Sequence, residues 1–263
     1  MKETILEKIV RDKRLEIAAA KEARPLEDLQ REIAGMTRPA RKISKTGGLQ
    51  LIAEVKAKSP SGGVIRADFD PKELARSFAL SNASAISVLT DNKYFGGSLD
   101  DLKTVREAAD VLVLRKDFIV DPYQIYESKA AGADLILLIV RSTADNFPEL
   151  LDLALQLDLQ VLVEVHNKDE LDLVLRRIPV SNDILIGVNN RDLAAFSVDI
   201  NTCLELAGQI PDTYLKVAES GIETVEQLGE LARAGFDLAL IGTGLANNPA
   251  LLNYFSGPKE NIL

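Results

Sequence analysis

The chain has 263 residues, 46% apolar and 27% charged, and its 31 Lys and Arg against 40 Asp and Glu give a net charge of −9. These proportions exclude a disordered or fibrous chain, and the acidic balance argues against general nucleic-acid binding, which needs excess Lys and Arg to neutralise phosphates. One Cys and one His leave no internal disulfide and no Cys-rich or multi-His metal centre, and without a signal-type segment or a run of about 18 apolar residues the expectation is a soluble, cytoplasmic protein that uses no membrane.

Residues 1–48 hold 12 basic and 8 acidic side chains, or +4, while the remaining 215 residues carry −13. This change, together with a change of pattern at Thr46-Gly47-Gly48, sets a boundary between an N-terminal helical extension (1–48) packed on a barrel and the barrel itself (49–263) within one domain. Leu6, Val10 and Ile17 form a stripe on a first helix, and a second runs from Pro25 to Ile33. The +4 is expected to be a solvated helical face or an aid in attracting an anionic ligand.

Beyond the boundary, short Val-, Ile- and Leu-rich runs alternate with amphipathic segments eight times: Gln50–Lys56, Ser84–Leu89, Val111–Lys116, Asp134–Ile139, Gln160–Val165, Asp183–Val188, Tyr214–Ala218 and Asp237–Ile241. Strands buried on both faces of a parallel sheet have this character. Between them, Asp70-Pro71 and Asp121-Pro122 set an N-cap acid before a first-turn Pro, and Ser98-x-x-Asp101 and Thr224-x-x-Gln227 have the spacing of capping boxes. Ala131-Gly132 and Ala234-Gly235 mark helix ends. The α/β pattern predicts a (β/α)8 TIM barrel with an N-terminal helical extension, over a doubly wound sheet, whose Gly-rich fingerprint after the first strand is missing.

In such a barrel the chemistry sits at the C-terminal strand ends. Alternation along the first strand puts Glu54 and Lys56 inside with Ile52, and the long loop Ala57–Asp70, with its Gly62-Gly63 pair, is expected to cover the mouth. Lys116 is inward on the third strand, where apolar neighbours should lower its proton affinity and suit it to general acid work. Glu164 stands alone in the apolar fifth strand and needs a partner, Lys116 or Lys56 across the barrel. The sixth strand end, Asn189-Asn190-Arg191, offers donors to an anion. Gly-rich turns after the seventh and eighth strands, at Ser220-Gly221 and Gly242-Thr243-Gly244, suit a phosphate. His166 is expected to be a loop residue of outward or rim parity, and Cys203 a packing residue in the sixth helix.

The segments Ile52-Ala53-Glu54-Val55-Lys56-Ala57-Lys58-Ser59-Pro60-Ser61-Gly62, Leu114-Arg115-Lys116-Asp117-Phe118-Ile119, Val163-Glu164-Val165-His166, Gly187-Val188-Asn189-Asn190-Arg191-Asp192-Leu193 and Ala218-Glu219-Ser220-Gly221-Ile222, taken together, resemble the indole-3-glycerol phosphate synthase family in order and spacing. The early helical segment Ile5–Val10 resembles that family's extension. The resemblance implies ring closure of 1-(2-carboxyphenylamino)-1-deoxyribulose 5-phosphate with loss of CO2 and water, without cofactor or metal, in tryptophan biosynthesis. It implies Lys116 as general acid, Lys56 as a second cation, Glu164 as general base, and Glu54, Asn189 and Ser220 as orienting groups. Arg191 with Lys56 would hold the substrate carboxylate, Glu219 would contact the sugar, Phe95, Phe118 and Pro60 would pack on the aromatic ring, and Ser59 would also bind substrate. Ser220, Gly221, Gly242 and Thr243 would bind phosphate, although Thr243-Gly244 departs from the family's usual serine-bearing turn. The resemblance further implies a monofunctional enzyme whose partner is a small phosphosugar, with no obligatory protein partner. Another phosphosugar barrel enzyme, such as phosphoribosylanthranilate isomerase, and a non-catalytic phosphate-ligand binding protein stand as alternatives. The former uses a Cys at the first strand end, where this chain has Glu54 and Lys56.

Overall fold

Eight parallel strands close on one another in a computed structural model of the chain, which describes residues 3–56, 58–59, 63–64, 69–143, 146–191 and 197–256. They are β1 (Gln50–Val55), β2 (Ala85–Leu89), β3 (Leu112–Lys116), β4 (Leu135–Ile139), β5 (Gln160–Val165), β6 (Ile184–Asn189), β7 (Leu215–Glu219) and β8 (Leu238–Ile241). Each pairs with the next, and β8 returns to β1 in the register Gln50↔Leu238 to Ala53↔Ile241. Every predicted run becomes a strand, with ends displaced by no more than one residue. The architecture is the (β/α)8 barrel.

The alternation of side chains divides the apolar residues into two cores. Ile52, Leu112, Leu114, Leu135, Leu137, Leu162, Leu185, Val217, Leu238 and Leu240 fill the barrel. Leu51, Val88, Val113, Ile136, Val163, Ile186 and Ala239 face outward under the helices. The caps form where their spacing predicts. Asp70 accepts from the backbone of Lys72 and Glu73, and Thr224 forms its reciprocal box with Gln227; Ser98 accepts from the backbone of Asp101 without the reciprocal bond of the expected box, and Asp121 forms a box with Gln124 beyond the expected N-cap. None of the helices among the described residues is long and apolar enough to cross a membrane.

Two helices precede the barrel, α1 (Ile5–Ala23) and α2 (Leu26–Ala34). The buried face of α1 is Ile9, Lys13 and Ile17 rather than the predicted stripe of Leu6, Val10 and Ile17. The discrepancy has an electrostatic cause. Lys13 is 1% exposed, with its ammonium 2.9 Å from Asp91, 3.0 Å from Asp117 and 3.0 Å from Glu16. Burial alone would lower its proton affinity, but Asp117, Asp91 and Glu16 outweigh it and raise it. Asp12 accepts from Lys93 and from the Tyr94 hydroxyl, so α1 is pinned over the C-terminal ends of β2 and β3.

From α2 the chain runs beneath the other end of the barrel. Ile43 enters the interior core there and exchanges two hydrogen bonds with buried Gln160. Arg38 pairs with Asp134, Arg41 with Asp110, Lys42 with Asp183 at 2.7 Å and Lys45 with Asp237 at 3.2 Å. On the helices Lys8, Arg11, Arg14, Lys21 and Arg31 are exposed, as expected of a solvated face, whereas the basic residues of the following segment and the buried Lys13 are matched to barrel carboxylates.

Candidate active site

A cavity of about 230 Å³ opens at the C-terminal end of the barrel and is lined by residues from β1, β2, β3, β4, β5, β6 and β8, from the turn after β7, and from α1. Among the ionisable side chains that line it are Glu54, Lys56, Lys116 and Glu164, and Glu219 packs against Lys116. Lys56 lies 2.6 Å from Glu54, and Lys116 lies 3.1 Å from Glu219 and 3.5 Å from Glu54. Two glycines leave space for this cluster: a Cβ on Gly187 would stand 2.2 Å from Glu219 Oε1, and one on Gly242 would stand 2.2 Å from Glu54 Oε1.

The surroundings set the charges. Burial alone would raise Glu54, but Lys56 and Lys116 hold it at about 2. Burial would likewise depress Lys116; the facing carboxylates of Glu219, Glu54 and Glu164 reverse this and raise it. The expected lowering of Lys116 is thus corrected, because its apolar neighbours along the strand count for less than the carboxylates across the barrel. Glu219 is fully buried, and burial, aided by the nearby Glu164 charge, raises it to about 7 against the pull of Lys116.

Glu164 is inward and buried as predicted, but its closest cation is not a lysine. His166 Nε2 lies 3.2 Å from Glu164 Oε1, and Nδ1 lies 3.2 Å from Glu170 Oε2. His166 is buried just beyond the end of β5 and has the same parity as Glu164, so the outward or rim placement is corrected. Burial would raise Glu164, but His166 above all, then Lys116 and the Asn189 amide, hold it well below the usual carboxylate range. Burial would depress His166, yet Glu164 and Glu170 carry it up to about 9.

The rim is apolar on one side. Phe95 and Phe118 have ring centroids 6.2 Å apart, and Ile5, Leu6 and Ile9 of α1 complete that wall. The sequence marks Leu6 as part of the helix's apolar stripe and Ile5–Val10 as resembling the family's extension, but assigns none of the three to the site. The opposite side carries Asn189, Arg191, Ser220, Gly221, Gly242 and Thr243. Ser220 has φ 66°, a conformation that costs an L-residue with a side chain about 1 kcal/mol or more. Asn190 holds the turn: its side-chain amide donates to Ser220 O at 3.0 Å and its backbone N–H to Glu219 O at 2.9 Å. Gly242 offers no side-chain cap to the turn into Thr243–Asn247, and among the described residues no side chain is seen to accept from its first N–H groups.

Cys203 is buried in the helix Asn201–Ala207 behind β6, where burial pushes its thiol up to about 12. It is a packing residue. Lys58–Ser59 and Gly63–Val64 form a short antiparallel hairpin after β1. The Ser59 side chain, expected to bind substrate, and Pro60, expected on its aromatic ring, lie outside the described residues. Among the described residues no group of three or more His, Cys, Asp or Glu side chains is placed to hold a metal ion.

A family model described as indole-3-glycerol phosphate synthase matches residues 6–254. The chain is 43% identical over 255 residues to the indole-3-glycerol phosphate synthase of Chlorobium limicola, covering 95% of this chain and 97% of that one. It is 44% identical over 261 residues to that of Chloroherpeton thalassium (95% and 98% covered) and 45% identical over 249 residues to that of Azospirillum brasilense (92% and 93% covered). Among solved structures, the N-acetylmannosamine-6-phosphate 2-epimerase from Clostridium perfringens superposes with a TM-score of 0.56 at 15% identity, over 78% of this chain and 91% of that one. That last likeness is one of fold alone.

Proposed function

The chain belongs to the indole-3-glycerol phosphate synthase family, and we propose that it closes the indole ring of 1-(2-carboxyphenylamino)-1-deoxyribulose 5-phosphate through the charged groups just described. One observation carries the assignment of roles. Lys116 is held protonated between two carboxylates and faces a third, Glu164, in a cavity with an apolar wall on one side and open backbone donors on the other.

The aromatic end of the substrate fits against Phe95, Phe118 and the α1 residues, where a ring gains from apolar contact. Its phosphate is assigned to the turns at Ser220-Gly221 and Gly242-Thr243, where backbone N–H groups supply the positive field. Arg191 and Lys56 are assigned to the ring carboxylate. As the aromatic carbon attacks the carbonyl carbon, charge gathers on the carbonyl oxygen. That oxygen becomes more basic than an amine, so even a lysine of raised proton affinity delivers its proton there favourably. The carboxylate then departs as CO2, and its bonding pair restores part of the conjugation. Finally the new hydroxyl leaves as water with a proton from Lys56, while Glu164 takes the ring proton. Glu54 and Asn189 orient Lys56 and Glu164, and Glu219 holds Lys116 toward the sugar.

We place this reaction in tryptophan biosynthesis in the cytoplasm, with a small phosphosugar as the only partner the chemistry needs. The isomerase alternative gains no support, since the one cysteine is buried behind β6 and away from the first strand end. The test exploits composition: the chain contains no Trp, so indole product fluoresces over a weak Tyr background. Purified protein mixed with substrate, without added metal, should give rising indole fluorescence with equimolar CO2. Binding without either product would overturn the assignment.

A further inference from the structure

An alternating row of charges leads from the outside of the barrel to the cavity. Arg141, about one third exposed, pairs with Glu170. Glu170 Oε2 accepts from the backbone N–H of His166 at 2.8 Å and also faces its Nδ1, while Nε2 faces Glu164. Asn167 donates to Glu170 Oε1, so both oxygens of that carboxylate are occupied. The sequence supplies the spacing. Strand parity points residues 164 and 166 the same way, and the turn into the helix Lys168–Leu175 brings Glu170 back over the ring.

We propose that His166 is a positioning residue for the ring closure: held as an imidazolium between Glu170 and Glu164, it fixes one oxygen of Glu164 and keeps that carboxylate ionised in a buried site. The inference rests on the reading of Glu164 as the base. A lone carboxylate so deeply buried would take up a proton to escape the cost of desolvation, and a base that is already protonated cannot act. Lys116 cannot hold Glu164 ionised by itself, because it is in direct contact with Glu219 and Glu54. The groups that face the imidazole are Glu164 from β5, Glu170 and, behind it, Arg141 from the flanking helices, and at longer range Glu219 from β7. Acidic neighbours predominate, so the ring's second proton is favoured from both sides.

The first test needs no turnover. Because the chain has one histidine, protein carrying 15N-labelled histidine gives a single imidazole signal, whose titration can be followed directly by NMR. Both ring nitrogens should stay protonated through neutral pH, with a midpoint at about 9. Glu164→Gln and Glu170→Gln should each lower that midpoint by about one unit or more. A midpoint near the ordinary 6.5 that Glu164→Gln leaves unmoved would overturn the proposal.

The second test is kinetic. His166→Gln keeps a donor beside Glu164 but removes the charge. It should lower kcat about 10-fold with KM changed less than about threefold, and shift the acid limb of the kcat profile upward by about one unit or more. Unchanged kcat and an unmoved limb in the folded variant would refute the positioning role. If His166→Gln does not fold, Glu170→Gln carries the same prediction at smaller amplitude. Full turnover in Glu164→Gln would remove the base assignment and leave the NMR result standing, so the two readings fail separately.

Discussion

At the N-terminal end of the barrel Arg41, Lys42 and Lys45 each meet one aspartate at or near the surface. At the C-terminal end Lys56, Lys116 and His166 share four carboxylates in a buried cluster. Both ends set cations against carboxylates, but solvent and stoichiometry differ. The outer pairs are screened by water and fasten the extension to the barrel. In the inner cluster the charges are desolvated and Glu54, Lys116 and His166 each face two partners, so proton affinities move far from their ordinary values, as Glu219 and His166 show. Ion pairs at the two ends therefore do different work. Those beneath the barrel should affect stability slightly and turnover not at all, whereas those above it should dominate turnover.

The largest effect expected from breaking this division lies inside the cluster. Lys116→Ala and Glu164→Gln should each reduce kcat about 100-fold or more, the usual scale for a general acid or base. Thermal unfolding should change much less in Lys116→Ala, because Glu219 is raised to about 7 and takes up a proton when its cation is removed. Steady-state kinetics and a melting curve on the same preparations would decide it. Near-normal turnover in both variants would remove the roles assigned here.

Lys13 is the intermediate case, since it lies on the extension yet is buried like the cluster. Replacing it by Met leaves Asp91 and Asp117 facing each other without their shared cation, although Arg115 still pairs with Asp117 at 2.9 Å. Uncompensated buried charge costs about 3 kcal/mol or more, or roughly 5–10 °C in Tm for a domain of this size. Turnover should fall about 10-fold through misplacement of the α1 wall, by the sensitivity of catalysis to small errors of position. Asp91→Asn added to Lys13→Met should recover part of the stability, as a double-mutant cycle would measure.

What could be read from the sequence follows the range of the interactions. The strands, caps and inward parity of Glu54, Lys56, Lys116 and Glu164 are set by near neighbours along the chain, and the structure places them accordingly. Nothing near it in the sequence marks Lys13, because its partners Asp91 and Asp117 are brought to it only by docking of α1. The proton affinity of Lys116 came out reversed because Glu219 and Glu54 reach it only once the barrel closes. His166 is a different case. Counting two residues on from Glu164 gives its direction, but placing it past the strand end concealed that the following helix turns Glu170 back onto it.

The smallest effect sharpens the comparison from the other side. Lys42→Ala and Lys45→Ala each remove one half-exposed ammonium, and each should cost about 1 kcal/mol or less. Arg38→Ala belongs with them despite the deep burial of Asp134, because that carboxylate keeps Arg106 at 2.7 Å and the Val113 N–H at 2.9 Å. The lysine effects should shrink further in about 1 M salt, where the screening length falls to about 3 Å, and turnover should match the parent throughout. A lysine variant that lost more than about 2 kcal/mol, or any of the three that lowered kcat, would mean that the two ends are coupled through the barrel wall. The separation drawn here depends on the interior between Ile43 and Ile9 being filled by apolar side chains that carry packing but no charge.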